Sequence, residues 1–135
     1  MANRKTFIDT SAFYCAFRPE DALHAVVNDL LREPDRIFYT TDWVIGETVN
    51  LLTARRKPHL ARKFLTQIVD SPGFSIIYSS RVLFDEARSL LLQYEDQNLP
   101  FTDCVSFAVM RALKIHDALT VDQHFKTMGF AALLA

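Results

Sequence analysis

The sequence predicts an α/β fold, a three-layer sandwich in which a mainly parallel central sheet of four to five strands is flanked by helices. Short apolar segments rich in β-forming residues occur at 6–9, 37–40, 74–78 and 118–121. Longer segments with helical spacing separate them. Strands buried on both faces read as nearly continuous apolar runs, and parallel strands need helical crossovers between them. The alternation therefore favours an α/β sandwich.

Length and composition predict a single domain over residues 1–135. The chain is long enough to bury one substantial core, and no repeat or long linker divides it. Half of the residues are hydrophobic, eleven of them Phe, which excludes a disordered chain. The formal net charge of −1 excludes a strongly basic protein, although acidic and basic residues can still separate locally.

The compartment is predicted to be the cytoplasm. Cys15 and Cys104 are far apart in the sequence and form no CxxC pair, which fits a reducing environment. The first residues, MANRKTF, include no apolar signal segment. No apolar run approaches the roughly 18 residues of a membrane span.

The first elements follow from spacing and capping. After the strand 6–9, Asp9 is a possible cap for a helix that begins near Ser11. A helix is predicted over 21–33, with an apolar stripe formed by Leu23, Val26, Val27, Leu30 and Leu31. The strand 37–40 leads to a helix over 43–56, capped by Thr41 or Asp42. Pro58 interrupts that helix and opens another over 59–69.

The second half of the chain continues this alternation. The turn sequence DSPGF precedes the strand 74–78. A helix over 81–95 has as inward candidates Val82, Ala87, Leu90, Leu91 and Tyr94. After NLP, a further helix starts at Thr102 or Asp103 and runs to about 114, with the stripe Cys104, Val105, Ala108, Val109 and Ala112. The segment FAALLA fits either a last strand or a packed end.

Four acids lie directly after predicted strands or near the start of predicted helices. Asp9 ends the first strand, Asp122 follows ALTV, Asp103 lies at a helix start, and Glu47 lies about one turn inside the helix after IFYT. Functional groups in open α/β sheets gather beyond the carboxyl ends of the strands. We therefore expect these four side chains to converge.

Each acid also has a structural interpretation. Asp9 can cap a helix, Asp103 can complement a helix dipole, and Asp122 can be a turn residue. Glu47 is harder to explain in this way, because WVIGETVNLL is otherwise largely apolar and a partly buried Glu needs a partner. The functional hypothesis depends on all four acids together.

Converging carboxylates predict a site for a hard divalent cation. Neighbouring carboxylates repel each other unless a cation neutralises them, and oxygen ligands suit Mg²⁺ or Mn²⁺. The four histidines show neither HxxxH nor HExxH spacing, so a His-ligated metal has little support.

Four motifs resemble those of a PIN domain, in order and approximate spacing: FIDTSAF, DWVIGETVNLL, FTDCVSFAVMRALKI and ALTVDQHF. The resemblance extends over nearly the whole chain. It implies that Asp9, Glu47, Asp103 and Asp122 form a catalytic, metal-binding pocket, with Ser11 and Thr120 near water or phosphate. It also implies a metal-dependent ribonuclease, commonly the toxin of a VapBC-type pair, with an antitoxin partner and a homodimeric state.

The chemistry of phosphodiester cleavage fits these residues. Asp9, Asp103 and Asp122 are proposed to hold the ion or ions, and Glu47 to bind through water or to deprotonate the attacking water. The basic segment ARRKPHLARK can position an RNA backbone through Arg55, Arg56, Lys57, Arg62 and Lys63. A solvated helix end explains that segment equally well. Arg4 and Lys5 are further cations, and Tyr39, Tyr94 and Phe125 can stack on a base or pack in the core.

Two other phosphoryl-transfer classes lack their residues here. A receiver domain needs an acidic pair after the first strand and an Asp after the third, but FIDTS has one acid and FSIIYSS ends in serines. A haloacid-dehalogenase-type phosphatase needs a second Asp where Ser11 stands. The alternative that stays open is a nuclease-like fold that binds RNA or protein with weak catalysis.

Overall fold

The central sheet of this computed structural model, which describes residues 3–135, contains five parallel strands in those residues. They are β1 (Arg4–Ile8), β2 (Arg36–Thr41), β3 (Phe74–Ile77), β4 (Asp117–Leu119) and β5 (Ala131–Ala132). The sheet order is β3-β2-β1-β4-β5. The predicted parallel sheet is confirmed, and the segment FAALLA contains its last strand. The predicted domain 1–135 includes Met1 and Ala2, which lie outside the described residues.

Helices flank the sheet. In chain order they are α1 (Thr10–Ala16), α2 (His24–Leu31), α3 (Asp42–Ala54), α4 (Pro58–Val69), α5 (Arg81–Gln93), α6 (Phe101–Leu113) and α7 (Gln123–Thr127). Thr41 caps α3, because its side chain accepts a hydrogen bond from the Val44 amide at 3.1 Å. Pro58 occupies the first turn of α4, as predicted.

Several element boundaries differ from the sequence prediction by one to three residues. Helix α2 begins at His24 rather than 21, because Asp21 accepts the Leu23 amide in a turn. Helix α6 begins at Phe101, immediately after Pro100. Strand β4 ends at Leu119, and the five-residue helix α7, which is too short to show a period, follows Asp122.

The core contains α6 and the sheet strands beside it. Every residue of α6 from Thr102 to Met110 is buried. Phe107 lies against Phe125 with ring centroids 4.9 Å apart, and Phe125 is fully buried, so it packs in the core and is not free to stack on a base. Tyr39 and Tyr94 are half-buried against the same core.

Three residues predicted to face inward are exposed. Val82 is 72% exposed, because the inward stripe of α5 begins one residue later, at Leu83, and continues through Ala87 and Leu90. Val26 is 48% exposed on α2, which packs mainly on α1. Ala112 is exposed in the last turn of α6.

The sheet order places a switch point between β1 and β4. From β1 the chain moves outward through β2 to β3, and then returns to the other side of β1 to form β4 and β5. Ligands of open α/β sheets bind where the strand order reverses, at the carboxyl ends. Among residues 3–135, no helix has both the length and the apolar character that a bilayer crossing requires.

Candidate metal centre and active site

Asp9 follows β1 at the switch point and is only 5% exposed. Its backbone occupies the position before α1, but its side chain makes no capping hydrogen bond. Instead, Oδ2 accepts hydrogen bonds from the hydroxyls of Thr120 at 2.8 Å and Ser11 at 3.2 Å. The other oxygen, Oδ1, is buried without a hydrogen-bond partner. Asp9 is therefore held in place without serving as a helix cap.

Ser11 and Thr120 connect the ends of β1 and β4. The Val121 amide donates to Ser11 Oγ at 3.2 Å, and the Asp122 amide donates to Thr120 Oγ1 at 3.1 Å. The two hydroxyls are 3.4 Å apart. These bonds fix the segment after β4 relative to Asp9. Contact of Ser11 and Thr120 with water or phosphate stays a prediction.

Asp103 and Glu47 approach the same point from two helices. Asp103 lies in the first turn of α6, is 5% exposed, and has one buried oxygen, Oδ2, without a partner. Glu47 lies in the second turn of α3 and is partly buried. Both line a cavity of about 380 Å³, which we call the acidic cavity. Its lining residues are Asp9, Thr10, Ser11, Glu47, Leu51, Pro100, Asp103, Val121 and Asp122.

Two buried carboxyl groups of the acidic cavity, those of Asp9 and Asp103, have raised pKa values. Burial is the main reason that the pKa of Asp9 rises from 3.8 to about 6, and the negative charge of Glu47 adds to it. Burial also raises the pKa of Asp103, to about 9, with further contributions from Asp9, Asp122 and Glu47. Burial and neighbouring negative charge therefore make ionisation of Asp9 and Asp103 less favourable. A bound cation would reverse this effect.

Asp122 and His124 form the outer part of the site. Asp122 caps α7, because its Oδ1 accepts the His124 amide at 2.9 Å. The Nδ1 of His124 lies 3.1 Å from the same oxygen without forming a hydrogen bond. Asp103, Asp122 and His124 each present a ligand atom, and these atoms lie within 4.8 Å of one another. Asp122 is thus both a cap and a candidate metal ligand.

His124 is not among the site residues that the sequence predicts. The spacing of the histidines relative to one another gives no signal, because His124 meets the acids Asp103 and Asp122. A usable signal was its position two residues after Asp122 in VDQHF. Asp9 and Glu47 lie outside this three-residue group, although they line the same cavity.

A family model described as PIN domain matches residues 6–131. The chain belongs to the PIN domain family. The match covers all four acids of the acidic cavity, and the observed five-strand parallel sheet between helices agrees with known PIN structures.

Two comparisons within the PIN family lead to the same relative. The chain is 31% identical over 124 residues to the 23S rRNA-specific endonuclease VapC20 of Mycobacterium tuberculosis, which covers 92% of this chain and 94% of VapC20. The crystal structure of that protein, a sarcin-ricin loop cleaving toxin, superposes with a TM-score of 0.86 at 27% identity, covering 95% and 98% of the two chains. The chain is therefore VapC-like.

More distant structures share the fold alone. VapBC2 from Rickettsia felis, solved with a DNA fragment from its promoter, has a TM-score of 0.67 at 15% identity and covers 95% of this chain and 96% of that one. FitAcB from Neisseria gonorrhoeae has a TM-score of 0.63 at 17% identity, with 94% of each chain covered.

The basic segment of this PIN domain lies at the α3–α4 junction and does not form one face. Lys57 pairs with Glu20 at 3.4 Å. Lys63 lines a groove beside α1 and α2, whereas Arg62 lines another beside α3. Arg55 and Arg56 are exposed at the end of α3.

Arg4 and Lys5 lie at the amino-terminal ends of the sheet strands, whereas the acidic cavity lies at their carboxyl ends. Arg4 pairs with Asp117 at 3.2 Å, and the Lys5 ammonium donates to the Leu113 carbonyl at 3.0 Å. Because they begin β1 whereas Asp9 follows its end, they are roughly 13–16 Å from the site at about 3.3 Å per residue. They are therefore not positioned to hold a phosphate near it.

Proposed function

We propose that this protein is a divalent-metal-dependent endoribonuclease that hydrolyses RNA phosphodiester bonds, and that it is the toxin of a VapBC-type pair. One observation carries the proposal: Asp9 and Asp103, both 5% exposed, each keep a buried oxygen without a hydrogen-bond partner, and both line one acidic cavity. Buried carboxylate oxygens without partners are costly in a folded protein. A cation is the partner that such oxygens lack.

The residues fit a metal, with distinct roles. A bound divalent cation supplies Lewis-acid chemistry, since it neutralises charge that builds on the phosphodiester and makes water more acidic. Asp103, Asp122 and His124 are the residues that we propose to hold it, together with Asp9. Glu47, which lines the same cavity, orients the attacking water and accepts its proton.

The proposed ion is Mn²⁺ or Mg²⁺. Carboxylate oxygens suit both ions, whereas an imidazole nitrogen is a better ligand for Mn²⁺ than for the harder Mg²⁺. The nearness of a His124 ring nitrogen to Asp103 and Asp122 therefore favours Mn²⁺. Replacement of His124 by Gln is expected to weaken Mn²⁺ binding more than Mg²⁺ binding.

The proposed substrate is ribosomal RNA, by similarity to VapC20. Among the cations of the basic segment, Arg55 has the best position, because Glu47, Leu51 and Arg55 follow one row of α3 at four-residue intervals. Leu51 lines the acidic cavity, so this row leads from the cavity to the helix end. Arg56, Lys57, Arg62 and Lys63 would contact more distant phosphates.

The proposed partners follow from the similar toxins. We propose a cognate antitoxin that covers the acidic cavity, as well as a homodimer. An RNA substrate and an antitoxin imply a cytoplasmic protein.

Cleavage of a ribosomal RNA fragment tests the proposed function. Purified protein is incubated with the RNA and Mn²⁺, Mg²⁺ or EDTA, and products are resolved on a sequencing gel. We expect cleavage at a defined position with metal, and a loss of at least about 100-fold for Asp9→Asn, because removal of a preorganised electrostatic group typically costs about 10²–10³ in rate. Asp85→Asn, on the exposed face of α5, is the matched control.

Two results would contradict the proposal. Cleavage in EDTA equal to that in Mn²⁺ would remove the metal from the mechanism. RNA binding without cleavage in any metal would favour the alternative, a PIN-fold binding module.

A further inference from the structure

A second cavity of about 420 Å³ adjoins the acidic cavity. Its lining residues are Asp42, Trp43, Gly46, Glu47, Asn50 and Thr102. Glu47 lines both cavities, so the two cavities meet at this side chain. The volume falls in the range of small-molecule sites, about 300–1,000 Å³. A molecule whose reacting group lies at the acids can therefore extend into this second cavity.

The indole of Trp43 is a fixed wall of the second cavity. Its Nε1 donates to Ser79 Oγ at 3.2 Å, and Asp42 in turn accepts from the amide and hydroxyl of Ser79. The ring also packs on Phe101, with centroids 5.0 Å apart. The indole is thus held from two sides yet remains partly exposed to the cavity. An aromatic surface fixed in this way loses little conformational entropy when a flat ligand stacks on it.

The other lining residues suit a nucleobase better than a phosphate. The lining contains two carboxylates, those of Asp42 and Glu47, and neither Lys nor Arg. Asn50 is exposed and offers amide donors and an acceptor, and Thr102 adds a hydroxyl. At Gly46 an added Cβ would meet nothing within 4 Å, so the space beside this residue is free for a ligand. A flat ring with amino groups at its edge matches this lining.

We propose that the second cavity is a nucleobase subsite. An unpaired base next to the cleaved phosphodiester stacks on Trp43, with its polar edge at Asn50 and Thr102. This inference rests on the proposed ribonuclease function and deepens it, because it requires the nucleotide beside the cut to be unstacked from its neighbours. Loops, bulges and single strands provide such bases, whereas continuous duplex RNA does not.

Intrinsic fluorescence gives a test that is independent of cleavage, because Trp43 is the single Trp of the chain. An RNA oligonucleotide that spans the cut site is titrated into Asp9→Asn, which is expected to bind without cutting. Stacking of a base on the indole should quench its emission with the same midpoint as binding measured by anisotropy. RNA binding with unchanged tryptophan emission overturns the subsite.

A coupling experiment locates the base. Oligonucleotides with one abasic residue at each position near the cut are compared for wild type and Trp43→Ala in the Asp9→Asn background. We expect one abasic position to weaken binding by about 5- to 140-fold, the equivalent of 1–3 kcal/mol for one stacked base. Trp43→Ala should show the same loss with intact RNA and no further loss with that abasic RNA. Additive losses overturn the proposal.

Two variants separate stacking from stability. Trp43→Phe keeps a flat ring and should retain most of the affinity. Phe84→Ala removes an aromatic ring whose centroid lies 5.1 Å from that of Phe101. Phe84 does not line the second cavity, so the affinity for RNA should be unchanged. If Phe84→Ala weakens binding as much as Trp43→Ala, the effect is structural and the subsite is wrong. If the wild type cleaves RNA but Trp43→Ala and the abasic RNAs show no coupling, the subsite alone is refuted. If the protein neither cleaves RNA with metal nor binds it, the proposed function is refuted too.

Discussion

Single residues of the acidic cavity combine a local role with one that exists only in the assembled site. Asp122 caps α7 through the His124 amide, whereas the local interpretation drawn from the sequence was a turn residue. Asp103 occupies the first turn of α6, where a carboxylate complements the helix dipole. Yet burial and three neighbouring acids raise the pKa of Asp103 to about 9. The helix dipole alone therefore does not explain this residue.

Replacing Asp103 by Asn should stabilise the metal-free protein. The substitution removes a buried carboxyl group whose ionisation is opposed by burial and by Asp9, Asp122 and Glu47. We expect a gain of at least about 1 kcal/mol near neutral pH, roughly 4 °C in Tm, measured by thermal unfolding in EDTA. The same variant should lose most of the Tm rise on adding Mn²⁺.

Asp117→Asn is the matched control for that experiment. Asp117 accepts a hydrogen bond from Arg36 at 3.2 Å, and the Arg36 side chain is 5% exposed. This pair lies at the amino-terminal ends of the strands, away from the acidic cavity. Its loss should lower stability by about 1.5–3 kcal/mol, typical of a hydrogen bond to a charged group, and leave the effect of Mn²⁺ intact. Destabilisation by Asp103→Asn in EDTA would contradict a functional role for Asp103.

At the scale of elements, α3 links the two cavities. Its first two turns contain Trp43, Gly46 and Glu47, and Thr41 fixes where those turns begin. The sequence predicted a cap at Thr41 or Asp42 and the partial burial of Glu47, because both are local properties of TDWVIGE, and the structure shows that the cap is Thr41. The sequence did not predict that Val82 of α5 faces solvent. Which residues of α5 face inward depends on how this helix packs against α6, and the apolar stripe begins one residue later than expected.

Thr41→Ala should cost both stability and activity. Loss of its bond to the Val44 amide should lower stability by about 0.5–2 kcal/mol. Cleavage should fall as well, because fraying of the first turn of α3 displaces Glu47 and Trp43. Ser80→Ala, which removes the corresponding 3.3 Å bond at the start of α5, should cost similar stability and leave cleavage unchanged. Equal loss of cleavage in the two variants would show that reduced stability alone explains the loss.

For the whole molecule, the acidic cavity links folding, protons and metal. The pKa values of Asp9 and Asp103 in the folded state lie above 3.8, the value expected in the unfolded state. The folded state therefore binds more protons than the unfolded state, between about pH 4 and 6 because of Asp9 and up to about pH 9 because of Asp103. The free energy of unfolding of the metal-free protein therefore falls as pH rises through this window. For Asp9 alone the loss is about 3 kcal/mol, at 1.36 kcal/mol per pKa unit.

Metal binding should oppose this loss. Because the cation displaces protons from the carboxyl groups, we expect the Tm rise on adding Mn²⁺ to be larger near pH 8 than near pH 6, by several degrees. Thermal unfolding with and without metal at the two pH values measures it. In Asp9→Asn/Asp103→Asn the difference should disappear. A Tm rise that is the same at both pH values would mean that the metal binds elsewhere.

The sequence by itself determined the fold class and most of the elements. Hydrophobic period, caps and turn residues are local, so they predicted β1 to β4, α1 to α6 and the four acids at strand ends and helix starts, but not α7. Only the tertiary structure decided which groups meet. The hydrogen bond from Thr120 to Asp9, the approach of His124 to Asp103, and the Trp43 cavity beside Glu47 depend on the order β3-β2-β1-β4-β5 and on the docking of α3 and α6. Contacts between residues far apart in sequence form through packing of the whole chain, and no short segment contains that information.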